Sequence, residues 1–309
     1  RVPSRRAAQR SGLTQALGRN TENLMLTERT FEAIGDGLLY HYCTPRTFQA
    51  ICENKSLRFS DIFSMNDFME MHWGYGVWES VATNLVPDLG KEFIDSVDGI
   101  FSASGFNILP LAACFSTQGD VLSQWRAYAD DGTGYCIGFK AKHLTELPAR
   151  PLQVLYDKQK QEQELADTIR SIHELRSKGE LSDAEFFEVC ATLSCDLAAF
   201  KNPAFVEESE VRFLHVVSFL SSNNGLKLED MGGISYGESV DPKPIGFSMR
   251  GSTPVPHIDL NFLDPNELHP ISEVILGPKN DALPTAVSVF LETVGIGNAI
   301  VRKSVASYR

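Results

Sequence analysis

The chain has 309 residues, 43% hydrophobic and 22% charged, with a formal net charge of −12. That supports one large globular domain or two ordinary ones, and it argues against holding polyanions by bulk charge, leaving only a local basic groove for that task. No uninterrupted apolar run reaches the roughly 20 residues of a membrane-spanning helix; Asn107–Phe115 is too short and contains Pro110, so no membrane is expected as a partner.

Residues 1–20 read as a basic flexible arm, because Arg1, Arg5, Arg6, Arg10 and Arg19 occur there with no acid among them. A chain that opens on Arg1 also reads as a fragment or a processed product, and an organelle presequence or a nucleic-acid-touching arm are the weaker alternatives. Residues 21–309 are expected to form one α+β domain. Thr21–Ile34 reads as a helix, ended by Gly35-Asp-Gly37, and Leu38–Cys43 as a strand. Thr44-Pro45 follows as a helix cap with proline at the first helical position. Leu57–Ser60 is a short strand and Asp61–Asp67 a polar loop; a helical stretch then runs on, interrupted near Gly74 and Gly76.

Leu109–Ser116 reads as a buried strand, Asp120 as the start of a short helix, Asp131–Gly134 as a turn, and Tyr135–Phe139 and Leu152–Tyr156 as strands. Lys158–Lys178 has strong helix propensity, and Ser182-Asp-Ala-Glu185 is a capping box opening a helix to about Phe200. Together they predict a helical-hairpin insertion at about 157–200. Glu210–Val217 is a strand rich in β-branched residues, free to pair with Leu152–Tyr156 across that insertion. Strands are expected at Gly233–Tyr236, His257–Phe262 and Ile271–Leu276, a helix at Asp281–Val294 and a last strand at Ala299–Lys303. Short strands with segregated helices predict an α+β fold with a central mixed or antiparallel sheet, open to being split, and peripheral helices.

Six scattered cysteines without a C-x-x-C pair read as buried thiols in a reducing, cytoplasmic setting. Seven dispersed histidines lack metal-ligand spacing, so no metal site is expected. Walker, Rossmann and G-x-S-x-G signatures are absent.

The most informative stretch is Glu208-Ser-Glu-Val-Arg212. Strand alternation puts Glu208, Glu210 and Arg212 on one face, a charged rail able to stabilise a cation or orient a hydroxyl. The plainer alternative is a solvated salt-bridge ladder. On Tyr40–Thr44, His41 shares a face with Leu39 and Cys43; it reads either as a satisfied buried imidazole or as a ligand for a ribose. Asn66-Asp67 with Glu70 reads as a helix cap, and Asp61, Asp67 and Glu70 also have the chemistry for Mg²⁺. Trp125 and Tyr128 share a helix face, as packing residues or as a stacking wall for a base or nicotinamide.

The pieces occur in a recognisable order. Tyr40-His-Tyr-x-Thr44, Leu57-x-Phe59-Ser60, Asn66-Asp67-x-x-Glu70, Cys114-Phe-Ser116 and Trp125-x-x-Tyr128 come first. Gly134-x-x-x-Gly138-Phe139, Glu208-x-Glu210-x-Arg212 and Val274-Ile-Leu-Gly277 follow. The set resembles the bacterial domain-of-unknown-function family numbered twenty-nine seventy-one, from about Leu38 onward. That family's pattern has proline after Asn-Asp where this chain has Phe68. Its members occur among defence-related genes.

The chain is also similar, over fewer residues, to ADP-ribosyltransferases of the His-Tyr-Glu type. That resemblance implies an ADP-ribosyltransferase-like fold and NAD as substrate. It implies Glu210, Glu208 and Arg212 as the catalytic group, and His41, Tyr42, Thr44, Ser116, Trp125 and Tyr128 as binding residues. The expected function is therefore an NAD-consuming effector, in anti-phage defence or a toxin system, with nucleic acid or protein as acceptor and an antitoxin or regulator as partner. The competing expectations are a metal-dependent nuclease built on Asp61, Asp67, Glu70, Glu208 and Glu210, and a non-catalytic sensor whose Glu208 and Glu210 stand in solvent.

Overall fold

A computed structural model describes residues 29–64, 69–105 and 107–308, with the side chains of residues 69–71 excepted. The basic arm, Asn66, Asp67 and the Glu70 side chain lie outside the described residues. In chain order the elements begin with β1 (Leu38–Cys43), α1 (Pro45–Asn54), β2 (Ser56–Asp61), α2 (Met69–Leu89), α3 (Lys91–Ser104) and β3 (Ile108–Ser116). Next are α4 (Leu122–Tyr128), β4 (Tyr135–Lys140), α5 (Ala141–Leu144), β5 (Arg150–Gln153), α6 (Lys158–Ser177) and α7 (Asp183–Asp196). The remainder is β6 (Glu210–Ser222), β7 (Gly225–Glu229), β8 (Gly233–Ser235), β9 (Glu238–Val240), β10 (Gly246–Arg250), β11 (Thr253–Asn261), β12 (Ile271–Leu276), α8 (Pro284–Thr293) and β13 (Ile300–Lys303).

The chain divides into two compact units. Among the described residues, one comprises 29–30, Met69–Gly105 and Leu155–Asn202, and its elements are helical. The helices expected near 157–200 share this unit with α2 and α3. In α6 the buried Gln161, Leu165, Thr168, Ile169 and Ile172 recur at helical spacing and form one stripe. Ser182 and Glu185 make the capping box that starts α7. The core gathers Trp78, Val81, Leu85, Val97, Ile169 and Leu193, among others.

The interruption expected near Gly74 and Gly76 does not occur; α2 runs through both. The two glycines do different work. A Cβ on Gly74 would lie 2.6 Å from the Leu197 carbonyl oxygen, whereas a Cβ on Gly76 meets nothing within 4 Å. Gly76→Ala should therefore stabilise this unit by roughly 0.5–1 kcal/mol, the ordinary helix-propensity gain. Gly74→Ala should destabilise it by about 1–3 kcal/mol, because a fixed backbone atom must move. Urea unfolding of the two variants checks this, and equal shifts of the same sign would refute it.

The second unit comprises Phe31–Phe68, Phe106–Val154 and Pro203–Arg309. Its main sheet has eleven strands, and every pairing is antiparallel except β12 with β13. The fold is thus mixed α+β with a mostly antiparallel, open sheet. β3 is its junction. One edge of β3 pairs with β6 along its whole length, while β2 pairs at Leu111–Ala112 and β1 at Ser116. From there the sheet runs one way through β2, β11 and β10, and the other through β1, β4, β12 and β13. Thr44 caps α1 by accepting from the Thr47 N–H, with Pro45 at the first helical position. Leu39, Phe59, Leu111, Phe115, Phe139 and Phe213 build the main core on one sheet face.

Of the helix expected over Thr21–Ile34, the described part, Arg29–Ile34, is not α-helical. Phe31 instead donates its N–H to the Pro151 carbonyl at 2.9 Å.

Candidate functional site

The start of β6 departs from simple alternation. Ser209 adopts a left-handed φ of 44°, so Glu208 closes a 3₁₀ turn (Pro203–Glu208) and the strand begins at Glu210. Glu208 and Glu210 are therefore not successive same-face strand residues, which corrects the rail expected from spacing. A left-handed non-glycine residue is costly and persists only where its neighbours hold it. The end of β3 does so. Ser116 Oγ donates to the Glu208 carbonyl at 2.7 Å and the Thr117 N–H donates to the Ser209 carbonyl at 3.0 Å.

Both carboxylates are buried, at 8% exposure for Glu208 and 6% for Glu210, so they do not form a solvated ladder. Arg212, 1% exposed, grips Glu210 with two bonds: Nε to Oε1 at 2.6 Å and Nη2 to Oε2 at 3.0 Å. Such a fork holds both oxygens and neutralises the charge. Glu208 Oε1 accepts from the hydroxyl of half-buried Tyr128 at 2.9 Å.

Strand register identifies the neighbours. Tyr40 pairs with Ser116, Ser116 with Glu210, and Tyr40 also with Gly138, which pairs with Glu273. These five positions lie in one row on one face. The Tyr40 ring lies against Gly119 and Gly138, where an added Cβ would meet ring carbons at 2.4 and 3.0 Å, so glycine is required at the first and favoured at the second. Burial, then the charge and hydrogen bond of Glu273, push the Tyr40 phenol up to about 12. Glu273 also accepts from Arg302 Nε at 2.6 Å, and Arg302 Nη1 lies 3.6 Å from Asp120. Asp120 collects Trp125 Nε1 at 2.7 Å, Ser304 Oγ at 2.5 Å and the Val305 N–H at 2.8 Å. This chain of polar groups escaped the sequence reading. The signal was Glu273, the one acid in the mostly apolar strand Ile271–Leu276.

Other expected residues are placed elsewhere. His41 alternates with Tyr40 and so points to the opposite face of the sheet from Glu210. Its Nδ1–H donates to the Cys114 carbonyl at 2.9 Å, its ring packs 5.5 Å from Phe115, and burial lowers its pKa. It is a half-buried imidazole engaged by the Cys114 carbonyl and does not meet the glutamates. Thr44 is spent as the α1 cap. Trp125 is fully buried and meets Tyr42 edge-on at 5.0 Å, so it packs α4 on the sheet and offers no stacking wall. Tyr42 OH donates to the Gln118 carbonyl and accepts from the Val121 N–H, both at 2.9 Å. The structure brings together Ser116, Tyr128, Glu208, Glu210 and Arg212. Asp61 accepts from the Phe63 N–H and the Ser64 hydroxyl as a turn cap. Among the described residues, no group of three His, Cys, Asp or Glu could hold a metal ion.

Residues 124–213 match the model of a family described as protein of unknown function (DUF2971). The match begins in α4 and takes in Trp125, Tyr128, Glu208, Glu210 and Arg212, which supports the resemblance read from the sequence. No curated protein and no solved structure matches the chain.

Proposed function

We propose that the chain is an NAD-consuming, ADP-ribosyltransferase-like enzyme, a cytoplasmic effector of a defence or toxin system, whose working carboxylate is Glu208. The observation that carries this is the burial of two acids close together in the chain beside Arg212, which grips Glu210, and Tyr128, whose hydroxyl donates to Glu208. Buried carboxylates held beside a guanidinium and a tyrosine hydroxyl are a physical signature of functional sites. With Glu210 paired to Arg212, its repulsion of a charged Glu208 is largely cancelled.

In the reaction the bond between ribose C1′ and the nicotinamide nitrogen breaks, and its electron pair stays on nicotinamide. Positive charge builds on the ribose, as in glycoside cleavage. Glu208 stabilises that charge more in the transition state than in the ground state. An acceptor oxygen or nitrogen then bonds to C1′ and gives up its proton. Tyr128 orients Glu208, while Glu210 and Arg212 fix the strand start that presents it. This assignment moves the working role from Glu210, expected from spacing, to Glu208, and leaves His41 out of the reaction.

The test is incubation of the full chain with NAD and measurement of released nicotinamide. Wild type should turn over, and Glu208→Gln should lose on the order of 100- to 1000-fold. Circular dichroism confirms that the variant is folded. No release by wild type would end the proposal, and undiminished release by folded Glu208→Gln would remove Glu208 from its role.

A further inference from the structure

We propose that the segment Ser304–Tyr308 is a strap that sets the position of α4 and, through it, the contact between Tyr128 and Glu208. Helix α4 has seven residues, too few to be stable by itself. Neither end is secured by its own cap: Val121 makes no side-chain cap bond, and Ala129 has non-helical dihedrals. Tyr42 OH accepts from the Val121 N–H and the Gly134 N–H donates to the Ala129 carbonyl, and the strap adds contacts on both sides of the helix.

Before the helix, Asp120 accepts from Ser304 Oγ and the Val305 N–H. Ala306 packs on the cluster of Tyr42, Trp125 and Ala129. After the helix, Tyr308 OH donates to Asp131 Oδ1 at 2.6 Å. The Lys279 ammonium stands 3.9 Å from the Tyr308 ring centroid and the Arg126 guanidinium 5.7 Å from it, so two cations face the ring. Lys279 Nζ also reaches Asp131 Oδ2 at 2.7 Å.

The gripped loop is strained. Asp130, Asp131 and Gly132 have φ of 50°, 51° and 87°, three left-handed residues in succession, two of them not glycine. Strain of this kind persists where surrounding contacts over-determine it, and it favours a second arrangement once they are removed. Release of Tyr308 lets the loop relax two residues beyond Tyr128, so the strap is a built-in control on α4. Its effect on turnover rests on the catalytic reading of Glu208; its effect on α4 does not.

The experiment is amide hydrogen exchange across residues 122–128 in wild type, Tyr308→Ala and Tyr308→Phe, with nicotinamide release measured in parallel. Tyr308→Ala should speed exchange in α4 about tenfold while leaving β3 and β6 protected. Tyr308→Phe keeps the ring against both cations and should recover most of the protection. Nicotinamide release should fall with α4 protection. Unchanged exchange in Tyr308→Ala, or equal loss of protection in β3 and β6, would overturn the strap. If wild type releases no nicotinamide, the enzymatic reading fails while the exchange data still decide the strap.

Discussion

Arg212→Met is expected to cost about 3–5 kcal/mol of stability, because it takes the forked guanidinium away from the buried Glu210 carboxylate. The pair is 6% and 1% exposed, and both Glu210 oxygens are engaged by the guanidinium. Taking two such charges out of water is expensive, and the bidentate geometry offsets much of that cost only while both partners remain. The site magnifies the effect. Glu210 opens β6, which pairs with β3, β5 and β7, and its neighbours Val211 and Phe213 are fully buried in the main core. Removing both charges in Glu210→Leu with Arg212→Met should cost less than Arg212→Met alone, since the Glu210 carboxylate is then not left buried without Arg212. Urea unfolding of the single and double variants gives the comparison. A double variant at least as unstable as the sum of the singles would show that the pair is not what holds this strand start.

Elements with local chemical signatures were legible in the sequence. Thr44-Pro45 fixed the start of α1, and Ser182 with Glu185 fixed the start of α7, because a cap is made by residues adjacent in the chain. The break between α2 and α3 was not read, because Gly90 offers no capping side chain to mark a helix start. Strands β7, β9 and β10 were missed because they are short and largely exposed; the alternation in β7 (Leu226, Leu228) and β10 (Phe247, Met249) spans only two apolar residues each. The site depended on facts of a different kind. Parity on β1 already grouped His41 with Leu39 and Cys43. Which face would carry Glu210 required the register Tyr40–Ser116–Glu210 across three strands. Glu208 left the strand because one residue, Ser209, has a positive φ, which composition does not disclose. The burial of Glu208 and Glu210 was likewise a tertiary outcome, since an exposed strand face carries charges of the same pattern.

Trp125→Ala is the second large effect expected, about 3–5 kcal/mol for emptying a fully buried indole site. The indole rests edge-on against Tyr42 and gives its Nε1–H to Asp120. Asp120→Asn should cost less, roughly 1–3 kcal/mol at neutral pH, and should carry a distinct pH signature. Burial by itself would raise the Asp120 pKa; hydrogen bonds from Ser304, Val305 and Trp125, with the charge of Arg302, outweigh it and hold the carboxyl below its ordinary value. A folded-state value below the unfolded one means that the native state favours the ionised form. The stabilisation is then fully present above the unfolded value of about 3.9 and is lost as pH falls through the lower folded value. The stability difference between wild type and Asp120→Asn should therefore be constant from about pH 7 to pH 5 and shrink below about pH 4. Trp125→Ala has no such titration of its own, but removing one of the Asp120 donors should move the onset of acid unfolding to higher pH. Urea titrations at neutral and acid pH separate the two behaviours. A wild-type advantage over Asp120→Asn that persists undiminished into acid would mean that the carboxylate charge is not what draws Ser304, Val305 and the indole together.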